Sequence, residues 1–372
     1  MPLSKIDEAG LASSAQFTGF KNRIINGAMM IDQRNAGASI SDITGVGAYP
    51  VDRFNFRVPA AIGGTFSVQR VADAPAGFVY SAKLTVTAAA TVGSTNRSGI
   101  AQGIEGLNLA DLAYGTASAS SVTLSFWVKS SIAGTYCCAL RNDTITGIAT
   151  ISYVANYTVS QANTWEYKTI TIPGYTAGTI STDNSLGLGV CWDIGSGTSY
   201  DTTPNVWSAS DKMGTAGAVS IIETTGATFQ ITGVQLEKGN TATSFDYRPY
   251  GTELALCQRY YYRVAAQIAG DYTIATSALA ISTTQAFVMT NFPVQMRTRP
   301  TALEQNGTAS DYVVVRAGSA TFNACSSVPT FSQAGLMSAM SIFTVASGLT
   351  NGSAGYVYGN TTAAYLGWSA EL

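Results

Sequence analysis

Hydrophobic and polar positions along this chain alternate with a period of two far more often than with the helical period. Between Val122 and Lys129, Val122, Leu124, Phe126 and Val128 fall on one side, and Thr123, Ser125, Trp127 and Lys129 on the other. Such alternation predicts a strand with one packed face. Leu186, Leu188, Val190 and Trp192 repeat it with Gly187 and Gly189 opposite, and a further strand from Trp165 to Ile172 stops at Pro173 and Gly174. At Phe229, Ile231, Val234 and Leu236 the apolar phase slips by one at Gly233, as a bulge would make it do. Short strands broken by Gly, Asn, Asp and Pro run from Lys21 to about Tyr250, the pattern of a sandwich or jelly roll.

Helical signals are few. Asn108 to Tyr114 could form one capped turn that packs Leu109 and Leu112. Thr252 to Arg263 could form a longer helix with Leu254, Cys257 and Tyr261 on one stripe. Beyond it short strands return, among them Ala286 to Met289, Asp311 to Arg316, Met340 to Ala346, Tyr356 to Tyr358 and Ala363 to Trp368. The predicted class is all-β, in four parts: an arm at 1–20, a jelly-roll β-sandwich at 21–250, a linking helix at 251–264, and a smaller C-terminal β-sandwich domain at 265–372.

Composition narrows the chemistry. Only 11% of the 372 residues are charged while 46% are hydrophobic, so Ser, Thr, Asn and Gln must cover much of the surface. Net charge is -2 and Lys and Arg form no run, which removes the footprint of a nucleic-acid binder. No apolar stretch approaches the roughly 20 residues of a membrane span, and the first residues have no apolar signal core, so synthesis in a cytoplasm without membrane insertion is expected. Five cysteines with no C-x-x-C predict reduced, buried thiols, and neither a zinc site nor a disulfide framework.

Histidine is absent. Ser-His-Asp and Cys-His nucleophile systems are therefore excluded, and no P-loop is present. No catalytic, cofactor-binding or metal-binding residues are assigned, and no cofactor is expected. Glycoside cleavage needs only two carboxylates, and Asp193, Asp201 and Asp211 share one loop-rich region. Their Gly, Ser and Thr neighbours favour a turn-forming role instead. Calcium could use such oxygens, but their spacing does not match a calcium loop.

Aromatic side chains are the better lead, because flat rings pack on the C–H faces of sugars while short polar groups bind hydroxyls. Trp127 projects from the side of its strand opposite the core, and Tyr200 and Trp207 sit in the loop region. In the C-terminal part Tyr312, Tyr356 and Tyr358 lie among small polar residues, the mixture found in adaptable binding surfaces. These six are candidate ligand-binding residues, with core packing as the plainer use of each. Tyr365 and Trp368, so near the terminus, suit a subunit interface better, and Trp192 belongs to the core by its alternation.

The stretch QLEKGNTATSFDYRPYGTELALCQRYYYR from Gln235 to Arg263 resembles the domain junction of bacteriophage tail-fibre and virion attachment proteins. KNRIINGAMMIDQRNAG, VDRFNF, LSFWVKSS and the closing GWSAEL strengthen that resemblance and bracket nearly the whole chain. SFWVKSS followed by TWEYKTITIPGY also resembles β-sandwich carbohydrate-binding modules over residues 21 to 248. The resemblance implies a non-enzymatic virion appendage: an arm docking to other virion proteins, a homotrimer with Tyr260, Tyr261 and Tyr262 near its axis, and attachment to a bacterial surface glycan or protein. A capsid or tail decoration protein is the alternative, and a polysaccharide depolymerase the third reading. The matched Asn26, Gln33, Arg34, Asp52, Arg53, Glu237, Asp246 and Arg248 suggest a hydrogen-bonded network joining the first and last strands of one sandwich.

Overall fold

The computed structural model describes residues 21–43, 47–59, 62–145, 147–268, 271–318 and 321–372. The arm expected at 1–20 lies outside them. The chain divides into two compact units, one reaching to Glu253 and the other Leu254–Glu371.

The strands of the first unit are β1 (Ile40–Ser41), β2 (Ala48–Val51), β3 (Phe54–Arg57), β4 (Thr65–Val71), β5 (Ser81–Ala88), β6 (Gly99–Glu105) and β7 (Val122–Ser130). They continue with β8 (Gly134–Arg141), β9 (Ser152–Val159), β10 (Glu166–Ile172), β11 (Leu186–Asp193), β12 (Trp207–Ser208) and β13 (Thr228–Lys238). One sheet has the order β1-β4-β5-β13-β7-β10 and the other β12-β9-β8-β11-β6-β3-β2. Every pairing within them is antiparallel, and the non-consecutive neighbours are those of a jelly-roll-like sandwich.

Alternation decides which side chains meet between the sheets. Val122, Leu124, Phe126 and Val128 of β7 are buried, as are Leu188, Val190 and Trp192 of β11. The Phe126 and Trp192 rings meet edge to face at 5.5 Å, joining the two sheets at the centre of the core. Opposite, Gly189 lets the Asp143 carbonyl oxygen come within 2.5 Å of where its Cβ would stand, so the outside of β11 is closed by a loop. The predicted bulge is present: the β13 to β7 register shifts between Thr232 and Gln235, and Gly233 has φ 60°. The Asn108 region forms two short 3-10 turns that bury Leu109 and Leu112.

The ends of this unit are tied together by the network that the matched residues suggested. The Asn26 side-chain amide donates to the carbonyls of Ile31 and Asp52 at 2.8 and 3.0 Å and accepts from the Ile31 amide. Gln33 donates through its backbone and side chain to the Asp52 carboxylate, and Arg34 stands 4.0 Å from it. From the other end of this unit, Arg248 donates to the carbonyls of Asn22 and Ile24 and lies 3.2 Å from the Glu253 carboxylate. Glu253 also accepts from the Asn26 backbone, while Glu237 takes the Gln235 amide and Thr243. Arg53 donates to the Gly103 carbonyl at 2.6 Å.

The single α-helix among the described residues, α1 (Tyr250–Gln258), ends earlier than the sequence pattern suggests. Tyr261 leaves the expected helical stripe and begins β14 (Tyr261–Ala265), because a run of aromatic and β-branched side chains suits a pleated surface better than a helix. The second unit continues with β15 (Asp271–Ala280), β16 (Gln285–Asn291), β17 (Tyr312–Arg316) and β18 (Phe322–Ala324). The remaining strands are β19 (Thr330–Ala334), β20 (Ser338–Thr344), β21 (Ala354–Gly359) and β22 (Tyr365–Ser369). The order β18-β17-β21-β15-β16-β20-β19 makes one antiparallel sheet, and β14 pairs with β22. Phe292, Met296, Tyr312, Phe343, Leu366 and Trp368 fill its core.

Candidate functional site

Beside the network lies a cavity of about 260 Å³, just below the usual range of small-ligand sites. Phe78, Phe245 and Tyr247 form one wall, with ring centroids 5.0 Å apart for Phe78 and Phe245 and 4.8 Å for Phe245 and Tyr247. Tyr250 also borders the cavity, and Tyr247 and Tyr250 are 61% and 60% exposed. Tyr247 is oriented by its hydroxyl, which donates to the Gly77 carbonyl at 2.9 Å. Polar Asn22, Asn26, Asp246, Arg248 and Glu253 and apolar Ala28, Met30 and Val79 complete the lining. Because these polar groups also belong to the network, the sandwich itself holds them in place. Exposed rings facing fixed amide, carboxylate and guanidinium groups make a surface suited to the two chemically different sides of a sugar ring.

The bulge extends the aromatic surface. A Cβ on Gly233 would stand 2.7 Å from Phe78 Cζ and 2.9 Å from Trp127 Cδ1, so both rings close over its bare α-carbon. Trp127 in turn lies 5.4 Å from the half-exposed Tyr167 ring across the β7 to β10 pairing. Trp127 is thus on the outer side of its sheet, as its alternation predicts, but half-buried beside its neighbours.

The other sequence candidates are placed differently. Trp207 packs among Tyr114, Tyr153 and Tyr175 and donates to the Pro173 carbonyl at 2.9 Å, so it closes the flank of the core. Tyr200 lies under the Arg97 guanidinium, 5.3 Å from ring centroid to Cζ, and contacts a small buried cluster with Met213. Tyr312 is fully buried and donates to the Tyr365 carbonyl at 2.7 Å, which corrects its assignment to a ligand surface. Tyr358 is buried too, under the edge of the exposed Phe322 ring at 5.6 Å, and Tyr356 packs beside it with Val313 and Val315.

Three of the five suggested interface residues are corrected, while Tyr262 and Tyr365 are half-buried. Tyr260, Tyr261 and Trp368 are 1%, 1% and 0% exposed within this one chain, and the Tyr261 hydroxyl donates to Glu304. Tyr262 stacks on Trp368 at 6.2 Å, and Tyr365 lies under the Arg263 guanidinium at 3.5 Å. A short domain cannot leave its largest rings exposed while filling a core from small residues, so its own packing consumes them. The apolar surface of this unit lies elsewhere. On the outer side of its sheet Leu279 is opposite Phe287, Phe287 opposite Ile342, and Met289 opposite Met340. Leu279 and Met289 are 50% and 43% exposed.

A second hollow, about 440 Å³, is polar and acidic: Asp193, Asp201 and Glu223 line it with Ser, Thr and Gly residues. Burial pushes the Asp193 carboxyl up to about 7, the neighbouring Asp201 adding to the rise. Burial raises Asp201 as well. Asp211 is not part of it, being held by Arg97 and Arg141. The structure thus brings together two of the three carboxylates noted in the sequence and engages the third in ion pairs. All five thiols are buried and none is in a disulfide; burial pushes Cys325 up to about 12 and Cys137 and Cys191 to about 11.

Sequence reasoning missed Phe78, Phe245, Tyr247 and Tyr250 as site residues. The alternation of Phe245 and Tyr247 within TSFDYRPY was a usable signal, but those positions read as a domain junction. Phe78 sits more than a hundred residues away in an unremarkable loop, and only folding brings it there.

No protein family and no curated protein matches this chain. Among solved structures it is similar to the enzymatically active domain of tailspike protein 4 of bacteriophage CBA120, at 13% identity and TM-score 0.30 over 58% of this chain and 21% of that one. It thus spans about a fifth of that tailspike chain. It is also similar to a xylan-binding domain from Paenibacillus barcinonensis, at 13% identity and TM-score 0.27, covering 56% of this chain and 99% of that one. A family 11 carbohydrate-binding module from Clostridium thermocellum, solved with a mixed-linked tetrasaccharide, matches at 13% identity and TM-score 0.28 over 56% and 100% of the two chains.

Proposed function

We propose that this chain is a non-enzymatic attachment protein of a bacteriophage virion, a tail fibre or similar appendage, and that its first domain binds a bacterial surface glycan in the aromatic cavity. The observation that carries the glycan reading is the pair of well-exposed rings, Tyr247 and Tyr250, set against Asp246 and Arg248 in one hollow. The virion reading rests on the tail-fibre-like segments that bracket the chain. In this reading residues 1–20 dock to other virion proteins, and synthesis takes place in the host cytoplasm. The outer row of Leu279, Phe287, Met289, Met340 and Ile342, in which Leu279 and Met289 are exposed and the other three half-buried, supports self-association of the second domain, homotrimeric by the same resemblance. Several weak sites on one assembly then raise avidity without strong single contacts.

Competition between purified chain and phage for adsorption to host cells tests this. The native chain should bind saturably and block infection, Tyr247→Ala should lose most of that binding with its melting temperature unchanged, and Phe287→Glu should lower the native mass. Absence of cell binding by a correctly assembled protein would favour a decoration protein instead.

A further inference from the structure

The polar groups of the aromatic cavity narrow the kind of glycan it can hold. Its charged lining sets two carboxylates, Asp246 and Glu253, against one guanidinium, Arg248. That guanidinium is 4% exposed and already committed: it donates to the Asn22 and Ile24 carbonyls, pairs with Glu253 at 3.2 Å, and holds its Nε 3.8 Å from Asp246. Other side-chain donors of the lining are spent in the same way. Asn26 gives its amide hydrogens to the Ile31 and Asp52 carbonyls, Asn22 donates to the Val234 carbonyl at 3.0 Å, and Tyr247 to that of Gly77.

Accepting capacity is what remains. Asp246, 20% exposed, accepts the Asn22 backbone amide at 3.3 Å through Oδ2, and a carboxylate has lone pairs for about four donors. A sugar bearing a carboxylate or phosphate would bring like charge to Asp246 and Glu253, and the guanidinium that could answer it is engaged. Sugar hydroxyls, in contrast, supply the hydrogens that a carboxylate accepts best.

The rings also continue beyond the cavity. Tyr247 stands 5.7 Å from Phe78, Phe78 and Trp127 meet over Gly233, and Trp127 is 5.4 Å from Tyr167, which is 44% exposed. Each step is comparable to one sugar unit of a chain, so a single sugar cannot cover the row. Two residues along β7 from Trp127, Lys129 pairs with Asp73 at 2.5 Å, and Trp165 donates to the same carboxylate at 3.2 Å, so the charges at that end offset each other.

We propose, resting on the glycan reading of this cavity, that its ligand is an uncharged glycan segment of several sugar units. One unit gives hydroxyl hydrogens to Asp246 beside Tyr247, and the following units lie on Phe78, Trp127 and Tyr167. Acidic glycans are rejected by the two carboxylates.

Binding of the full chain to a panel of bacterial surface polysaccharide fragments tests this, with neutral and acidic repeats each present as single sugars and as oligomers. The fragments retained should be uncharged, oligomers should bind about ten-fold more tightly than their single sugars, and added salt should leave binding unchanged because no ionic contact is there to be screened. Tyr167→Ala should weaken the oligomers about five-fold and leave single sugars unaffected, whereas Tyr247→Ala should weaken both. Preference for acidic fragments, salt-sensitive binding, oligomers no tighter than single sugars, or indifference to Tyr167→Ala would overturn the proposal and leave the glycan reading standing. If no fragment is retained, or Tyr247→Ala loses nothing, the glycan reading falls and the proposal with it.

Discussion

Replacing Arg248 by alanine is the most direct test of how the first domain closes on itself. The Arg248 side chain is 4% exposed, pairs with Glu253 at 3.2 Å, and caps the carbonyls of Asn22 and Ile24. Truncation removes one donor from that carboxylate and from the carbonyls of Asn22 and Ile24. Removing one partner of a buried pair costs about 3–5 kcal/mol, and because Glu253 is 14% exposed and still accepts from the Asn26 backbone, the lower end, about 3 kcal/mol, applies. For a domain of this size that is a fall of about 6–12 °C in melting temperature. Scanning calorimetry should show the loss in the transition of the first domain alone. Lys238→Ala is the control: Lys238 and Asp111 are 46% and 54% exposed and 3.7 Å apart, so it should cost less than about 1 kcal/mol. A fall of under about 2 °C for Arg248→Ala, or equal falls for both variants, would show that the network does not hold the ends of the first domain together.

Three further outcomes are expected. Gly233→Val should unfold or strongly destabilise the first domain, because φ 60° is unfavourable for a β-branched residue and its Cβ would meet Phe78 and Trp127; Gly226→Ala, with φ 81° but open space, should cost only the backbone strain. Asp193 ionises with a pKa raised from 3.8 to about 7, so its stabilising contribution is complete below about pH 4 and is lost as pH rises through 7; melting against pH should show that decline, and Asp193→Asn should flatten it. The five buried thiols should resist a thiol-specific reagent in the native protein and react together on unfolding, and rapid labelling of any one in native buffer would contradict their burial.

What was legible in the sequence was whatever a period or a backbone constraint encodes locally. The alternation at Val122 to Lys129 and at Leu186 to Trp192 named the core faces, and the slipped phase at Gly233 named the bulge. Even the network was visible, because buried polar groups must find partners and the candidate Asp, Arg and Asn positions sat at the two ends of one sandwich. Aromatic function was not visible in this way. Tyr312 and Trp368 resemble binding residues in composition and are core in fact, while Phe245 and Tyr247 resemble a junction and wall a cavity. A ring's exposure depends on what the rest of the chain lays over it, and no local period records that.

The sequence by itself determined the all-β class, the core faces of strands such as β7 and β11, the exclusion of histidine-based chemistry and the bulge at Gly233, since all of these follow from side-chain direction, composition and allowed dihedrals. Only the tertiary structure decided which rings stayed exposed, which two of three aspartates share a hollow, and where helix gave way to strand at Tyr261. Those outcomes depend on contacts between residues such as Phe78 and Tyr247, or Asp193 and Gly214, whose meeting is set by sheet order and loop closure.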